Sequence, residues 1–224
     1  DQLFAASAAW LKAKGHDVMR GPASFSVNDE CGMLVDGFDT PPTLMMPHNP
    51  PYYLRLMDAA NFKKAKDLWV YRGGYMSRYI PVPERLARGT ELIQKRQGVT
   101  LRAFNMKDFD NEVAKVKELY NKAWEKNWGF IPMTDKELDF LAEQFKPVAV
   151  PDLIPFAEKD GQIIGFGLCL PDLNTVFQRH RSGRLTPALL ADLLYHLKFE
   201  KIPRLRILLL GIVPEWRGKG VDAM

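Results

Sequence analysis

Apolar residues along this chain recur at helical spacing, alternate as in strands, or bunch into short continuous runs, and these patterns predict its elements. Residues 2–14 carry Leu3, Trp10 and Leu11 among alanines on one helical face, with Gly15 where a C-terminal cap belongs. A short strand is expected over 17–20, stopped by Gly21-Pro22. Residues 22–51 hold six prolines and show no regular period. They retain Phe25, Met33, Leu34, Val35, Phe38 and Leu44 to Met46, which predicts an ordered loop packed on a core. A helix is expected over 50–60, closed by Asn61. Leu68 to Tyr71 reads as a strand.

The pattern sharpens after the Gly73-Gly74 pair and the Pro81-Val82-Pro83 run, which mark a boundary over 72–81. A bridging helix is expected from about 83 to 97, then a strand over 99–104 and an amphipathic helix over 108–126. Thr134 and Glu137 have the spacing of a capping box, opening a helix that ends near Phe145. Apolar runs at 153–158 and 162–170 flank Lys159-Asp160-Gly161, a hairpin signal. Residues 186–199 read as a helix capped by Thr186 with Pro187 at its first position. The run 205–213 is almost continuously apolar and predicts a strand buried on both faces.

Composition narrows the class. Of 224 residues, 46% are hydrophobic and 26% charged, as in globular proteins and unlike disordered or fibrous ones. No apolar run reaches the length of a membrane-spanning helix, and no leader pattern opens the chain, so no membrane association is expected. Two cysteines, Cys31 and Cys169, cannot make a disulfide scaffold, which points to a reducing cytoplasm. The net charge of +4 divides into +3 before Gly98 and +1 from there on. Neither part has the basic surface that nucleic-acid binding demands, so no nucleic-acid partner is expected.

The chemistry concentrates in residues 208–224. A strand runs into Pro214, then Arg217-Gly218-Lys219-Gly220, then the expected start of a helix. Glycines let successive N–H groups converge on one point, a helix start adds partial positive charge, and Arg217 and Lys219 add full charges. A diphosphate suits such a loop. The spacing from Gly211 to Gly218 excludes a P-loop, and Ala223 stands where a dinucleotide-binding fingerprint needs its third glycine.

Val213 to Val221 resembles the coenzyme A loop of the GNAT acyltransferase superfamily, R-x-x-G-x-G/A after a V-x-P strand end. The last motif position, usually Gly or Ala, is Asp222. The element order over 99–213 is similar too, with an extra helix at 186–199. The first part resembles the back of such a domain, with Asn61-Phe62 where Gly-Phe is usual and Met57 where many members carry a proton-donating Tyr. The resemblance therefore implies an α+β fold, a mixed but mainly antiparallel sheet flanked by helices, in two partial units. Residues 1–75 would be the C-terminal part of a first domain, 76–97 a linker and bridging helix, and 98–224 the N-terminal part of a second. It implies transfer of an acetyl or other acyl group from acyl-CoA to an amine on a small molecule or protein. Ile212, Val213, Arg217, Gly218, Lys219, Gly220 and Val221 would hold the acyl-CoA. The alternative is a non-catalytic binding module, which Asp222 and Met57 favour.

No general base stands out. The run 205–213 has no carboxylate, so Glu215, Glu125, Asp135 and Glu137 are the candidates, each more at home as a surface or capping charge. Trp124, Trp128, Phe130 and Met133 could line an acceptor pocket or belong to the core. Gly211 could mark a bulge that frees N–H groups for a thioester carbonyl, or permit close helix packing. Arg179-His180-Arg181 with Arg184 forms a basic cluster, read mainly as solvated. His16, His48, His180 and His196 lack metal-ligand spacing. Neither cysteine has the neighbours of a nucleophile.

Overall fold

The structure is a computed structural model, and it describes residues 2–73, 82–199 and 202–224. Two compact units divide between Gly73 and Gly74. Most of the expected linker therefore lies outside the described residues.

The first unit holds two helices, α1 (Gln2–Ala13) and α2 (Tyr52–Ala59). Asn61 adopts the left-handed conformation (φ 61°) after α2, as its place in the sequence implies. Phe4 of α1 meets Phe62 edge to face, ring centroids 4.9 Å apart. The proline-rich stretch is a loop pinned by buried Asn49, but it does not pack on a core as expected: Phe25 is fully exposed, and no described hydrophobic residue of this unit is buried. The Asn49 side chain accepts from the Leu34 N–H at 2.7 Å and donates to the Leu34 and Pro50 carbonyls at 3.3 Å. The strands expected at 17–20 and 68–71 do not form. Apart from a single bridge between Ala23 and Cys31, no described residue of this unit pairs in a ladder. Trp69 is 77% exposed and Tyr71 88%. Strand propensity records fit to a pleated, half-buried surface, and without a partner ladder it has nothing to act on.

The second unit is α+β. Its elements are α3 (Glu84–Gln97), β1 (Thr100–Ala103), α4 (Phe109–Trp124), α5 (Asp135–Phe145), β2 (Pro155–Lys159), β3 (Gln162–Pro171), α6 (Asn174–Phe177), α7 (Pro187–Lys198) and β4 (Leu205–Ile212). The four strands form one sheet in the order β1-β2-β3-β4. Every pairing is antiparallel, where a mixed sheet was expected. The short helix α6 has no clear signal in the sequence.

Local chemistry explains the elements. Thr134 and Glu137 make the reciprocal capping box at the start of α5. The Thr186 hydroxyl caps α7 by accepting from the Leu189 N–H. Asp160 and Gly161 both take positive φ, closing the β2–β3 hairpin with a turn whose twist matches the strands. Asn121 of α4 clamps the loop before α5, donating to the Met133 carbonyl and accepting from its N–H, both at 3.0 Å.

One sheet face carries Phe104, Phe156 and Phe166 against Leu119, Tyr120 and Ala123 of α4 and Leu138 of α5. The Trp124 ring stacks on Tyr120 at 4.8 Å and meets Phe166 edge to face at 5.6 Å. The opposite face is covered at one end by a smaller cluster of Val99, Ala157, Ile164 and Val221. Strand β4 corrects the sequence expectation. It is an edge strand, and Leu205, Ile207 (61%) and Leu210 are exposed rather than buried on both faces. A continuous apolar run alone does not say how many neighbours a strand has.

Candidate functional site

Strand β4 delivers the loop. After Ile212 the chain makes a short 3-10 turn at Pro214–Trp216, crosses Arg217 to Gly220, and ends in another 3-10 turn at Val221–Ala223. This last turn stands where a helix was expected. Gly218 and Gly220 take φ of 71° and 82°. A side chain at either would be strained, and a Cβ on Gly220 would lie 2.7 Å from Cδ1 of Ile93 on α3. Val221 is buried beside Val99 and Ile164, and the Thr90 hydroxyl of α3, which donates to the Leu86 carbonyl at 3.1 Å, lies 3.4 Å from the Ala223 carbonyl. Helix α3 thus backs the loop. Among the described residues, the main-chain N–H groups of Gly218, Lys219 and Gly220 donate to no other main-chain group. The loop therefore has the unsatisfied donors an anion site needs.

The two cations differ. Arg217 donates from Nη2 to the Ala123 carbonyl at 2.8 Å and from Nε to the Ile212 carbonyl at 3.3 Å. Exposed Lys219 places its ammonium over the Trp216 ring, 4.3 Å from the centroid. Ile212 and Val213 sit at the strand end, and the Val213 N–H donates to the Ile164 carbonyl at 2.9 Å. Glu215 and Asp222 are exposed.

Gly211 lies under the Trp124 ring. A Cβ there would come within 2.2 Å of the indole, so close packing is what this glycine permits. The register break is elsewhere. Leu168 faces Leu209 and Cys169 faces Ile207, which leaves Leu208 as the extra residue. The bulge therefore falls three residues before Gly211. The outer edge of β4 has no partner strand among the described residues.

The other candidates separate by environment. Trp124, Phe130 and Met133 belong to the core, while Trp128 is exposed. Glu137 is committed to its capping box. The Thr134 N–H, and then its hydroxyl, hold the Glu137 carboxyl below the usual range. Glu125 and Asp135 are exposed. Burial raises the Cys169 thiol above its ordinary value, which disfavours a thiolate.

Two charged clusters emerge that the sequence reading did not assemble. In the first, Glu112 of α4 is 2% exposed. Arg102 grips it with Nη1 at 2.5 Å and Nη2 at 3.0 Å and reaches Glu158 with Nε at 2.7 Å. Lys115 adds a contact at 2.9 Å. Burial pushes the Glu112 carboxyl up, but the hydrogen bonds from Arg102, Lys115 and the Asn105 N–H outweigh it and hold it below the usual range. In the second, His180 Nε2 lies 2.9 Å from Asp192 Oδ2, His196 Nε2 lies 3.4 Å from Asp192 Oδ1, and Arg179 Nη1 lies 2.7 Å from His196 Nε2. His180 first, then the charges of Arg179 and His196, hold the Asp192 carboxyl low against the opposing effect of burial. Asp192 and His196 are four apart on a helix, a spacing readable from sequence. Arg181 and Arg184 remain exposed. Among the described residues no three His, Cys, Asp or Glu are placed to hold a metal ion, and no helix is long and apolar enough to cross a membrane.

The chain is 34% identical over 218 residues to Protein YghO of Escherichia coli (strain K12), an alignment covering 96% of this chain and 54% of that protein. It is 36% identical over 211 residues to a protein named bacterial ceramide synthase from Caulobacter vibrioides (strain NA1000 / CB15N), covering 94% of this chain and 53% of that one. The chain thus spans about half the length of the curated relatives it matches. No family model matches the chain. No solved structure matches it.

Proposed function

We propose that this chain carries the acyl-donor site of an acyltransferase that moves an acyl group from acyl-CoA to an amine. The observation that carries the reading is the loop: two glycines at positive φ, three main-chain N–H groups without main-chain acceptors, and exposed Lys219, all at the end of an open-edged strand. The relative named bacterial ceramide synthase supports it, because a ceramide is made by acylating an amino alcohol at nitrogen. The similarity of Val213 to Val221 to the GNAT coenzyme A loop supports the identity of the donor.

In this reading the N–H groups of Gly218 to Gly220 and the Lys219 ammonium receive the diphosphate. The outer edge of β4, up to the Ile212 N–H, pairs with the pantetheine arm, as an added strand would, while Val213 stays tied to Ile164 and Trp216. The Leu208 bulge, farther back on the same strand, leaves main-chain groups outside the ladder that can polarise the thioester carbonyl. The acceptor amine attacks that carbonyl after losing a proton, and the thiolate leaves and is protonated. The side chains of Leu205, Ile207 and Leu210 offer an apolar path beside it, which suits a long acyl chain.

The test is direct. The protein is incubated with short- and long-chain acyl-CoA and a panel of amines that includes a long-chain amino alcohol, and N-acyl product and free thiol are measured. Product from one of the pairs supports the reading. Binding of acyl-CoA without product favours the non-catalytic module, with exposed Asp222 beside the loop as the observation behind it. No binding at millimolar ligand removes the acyl-donor reading and leaves a module for another metabolite or a protein partner.

A further inference from the structure

We infer that Arg217 is a positioning residue, which sets the shape of the loop, and that Lys219 supplies the loop's charge to an anion. The inference rests on the loop being a coenzyme A site, and it divides labour within that site.

The guanidinium of Arg217 is already engaged. Its Nη2 donates to the Ala123 carbonyl at 2.8 Å, and its Nε to the Ile212 carbonyl at 3.3 Å. Ala123 stands in the last turn of α4, whose final carbonyls have no partner within the helix. A cation there is also favoured by the negative end of the helix dipole. Ile212 is the last residue of β4. One side chain therefore ties three pieces together: the end of α4, the end of β4 and the start of the loop. The same junction is fixed from the side by Trp124, whose ring fills the space over Gly211. Two of the five guanidinium N–H groups are thus committed, one of them to a helix-end carbonyl, and they fix where the side chain lies; swinging Arg217 toward a phosphate would cost both contacts. A lysine cannot replace it, because an ammonium lacks the planar fork that spans two acceptors.

Lys219 has no such commitment among the described residues. Its ammonium rests on the Trp216 ring at 4.3 Å. Moving this exposed side chain from the ring to a phosphate sacrifices little. It also lies between the two glycines whose N–H groups would meet the same anion.

The test compares Arg217→Lys, Arg217→Gln and Lys219→Met with the unaltered chain. Coenzyme A affinity is measured by calorimetry at several salt concentrations, and amide hydrogen exchange is measured across 214–224. Lys219→Met is expected to weaken coenzyme A binding about tenfold, as loss of a charge-assisted bond does, with a flatter salt dependence and unchanged exchange. Both Arg217 variants are expected to speed exchange at Trp216, Ala223 and Met224, whose N–H groups donate to the Val213, Gly220 and Val221 carbonyls, and to weaken binding while keeping the original salt dependence. The inference is overturned if Arg217→Lys matches the unaltered chain in exchange and affinity. It is equally overturned if Arg217→Gln flattens the salt dependence, or if Lys219→Met leaves it unchanged. If the unaltered chain binds no coenzyme A, the functional proposal falls, while the exchange comparison still decides whether Arg217 shapes the loop.

Discussion

The indole of Trp124 occupies the place a side chain at position 211 would fill. A Cβ on Gly211 would lie 2.2 Å from Cη2 of that ring. The contact joins α4 to the strand that carries the loop. Gly211→Ala is therefore expected to destabilise the fold by about 1–3 kcal/mol, the range for overpacking a filled core. Thermal unfolding reads the loss. Trp124→Leu added to Gly211→Ala should return part of it, because the smaller side chain vacates the contested space. Additive losses would contradict the assignment.

Gly220 combines two constraints, a φ of 82° and Ile93 at 2.7 Å from an added Cβ. Gly220→Ala should cost about 1–3 kcal/mol from backbone strain and raise amide exchange at the loop. Adding Ile93→Ala removes the clash but leaves the strain. A full return of stability in the double variant would mean that the backbone conformation carries no cost.

Glu112 links acid stability to the sheet. Its folded-state carboxyl sits below the ordinary glutamate range because Arg102, Lys115 and the Asn105 N–H outweigh the effect of burial. A lowered folded value means the contribution is fully present above the unfolded pKa of about 4.3 and disappears as pH falls through the lower folded value. Urea unfolding at stepped pH should show this decline below about pH 4.3, and Glu112→Gln should lack it. The same variant should cost about 1–3 kcal/mol near neutrality, because charge-assisted hydrogen bonds to a buried carboxylate are replaced by neutral ones while Arg102 keeps Glu158. A variant as acid-sensitive as the unaltered chain would contradict the assignment.

Thr134 caps α5, and Glu137 completes the box. Thr134→Ala should lower stability by about 1 kcal/mol. If Glu137 acts only in the box, Glu137→Gln should lower stability without altering acyl transfer. A large loss of turnover in Glu137→Gln with unchanged stability would instead mark it as the missing base.

What was readable in the sequence follows from how local each signal is. The Asp160-Gly161 turn, the Thr134–Glu137 box and the Thr186 cap are settled within four residues, and all three form as expected. The strand expected at 68–71 does not form, because propensity does not supply a neighbouring strand. β4 lies at the edge rather than buried on both faces, a place its apolar run fits equally well. Leu208 could not be identified as the bulge from the sequence, since the register belongs to the pairing with β3. Arg102 with Glu158, and Arg217 with Ala123, are joined only by the fold. Gly220 was legible because it holds the glycine position of the loop motif, whereas Gly218 falls at a position the motif leaves open.

Gly218 offers the most direct test of the central claim. It takes a φ of 71°, and no atom lies near an added Cβ, so a change there strains the loop without disturbing the core. Acyl-CoA binding is measured by calorimetry on the unaltered chain and on Gly218→Asp, with thermal unfolding as the control for folding. The unaltered chain is expected to bind, and the variant to fold but bind no acyl-CoA, because a side chain and a negative charge stand where the diphosphate belongs. Equal binding by both proteins would contradict it.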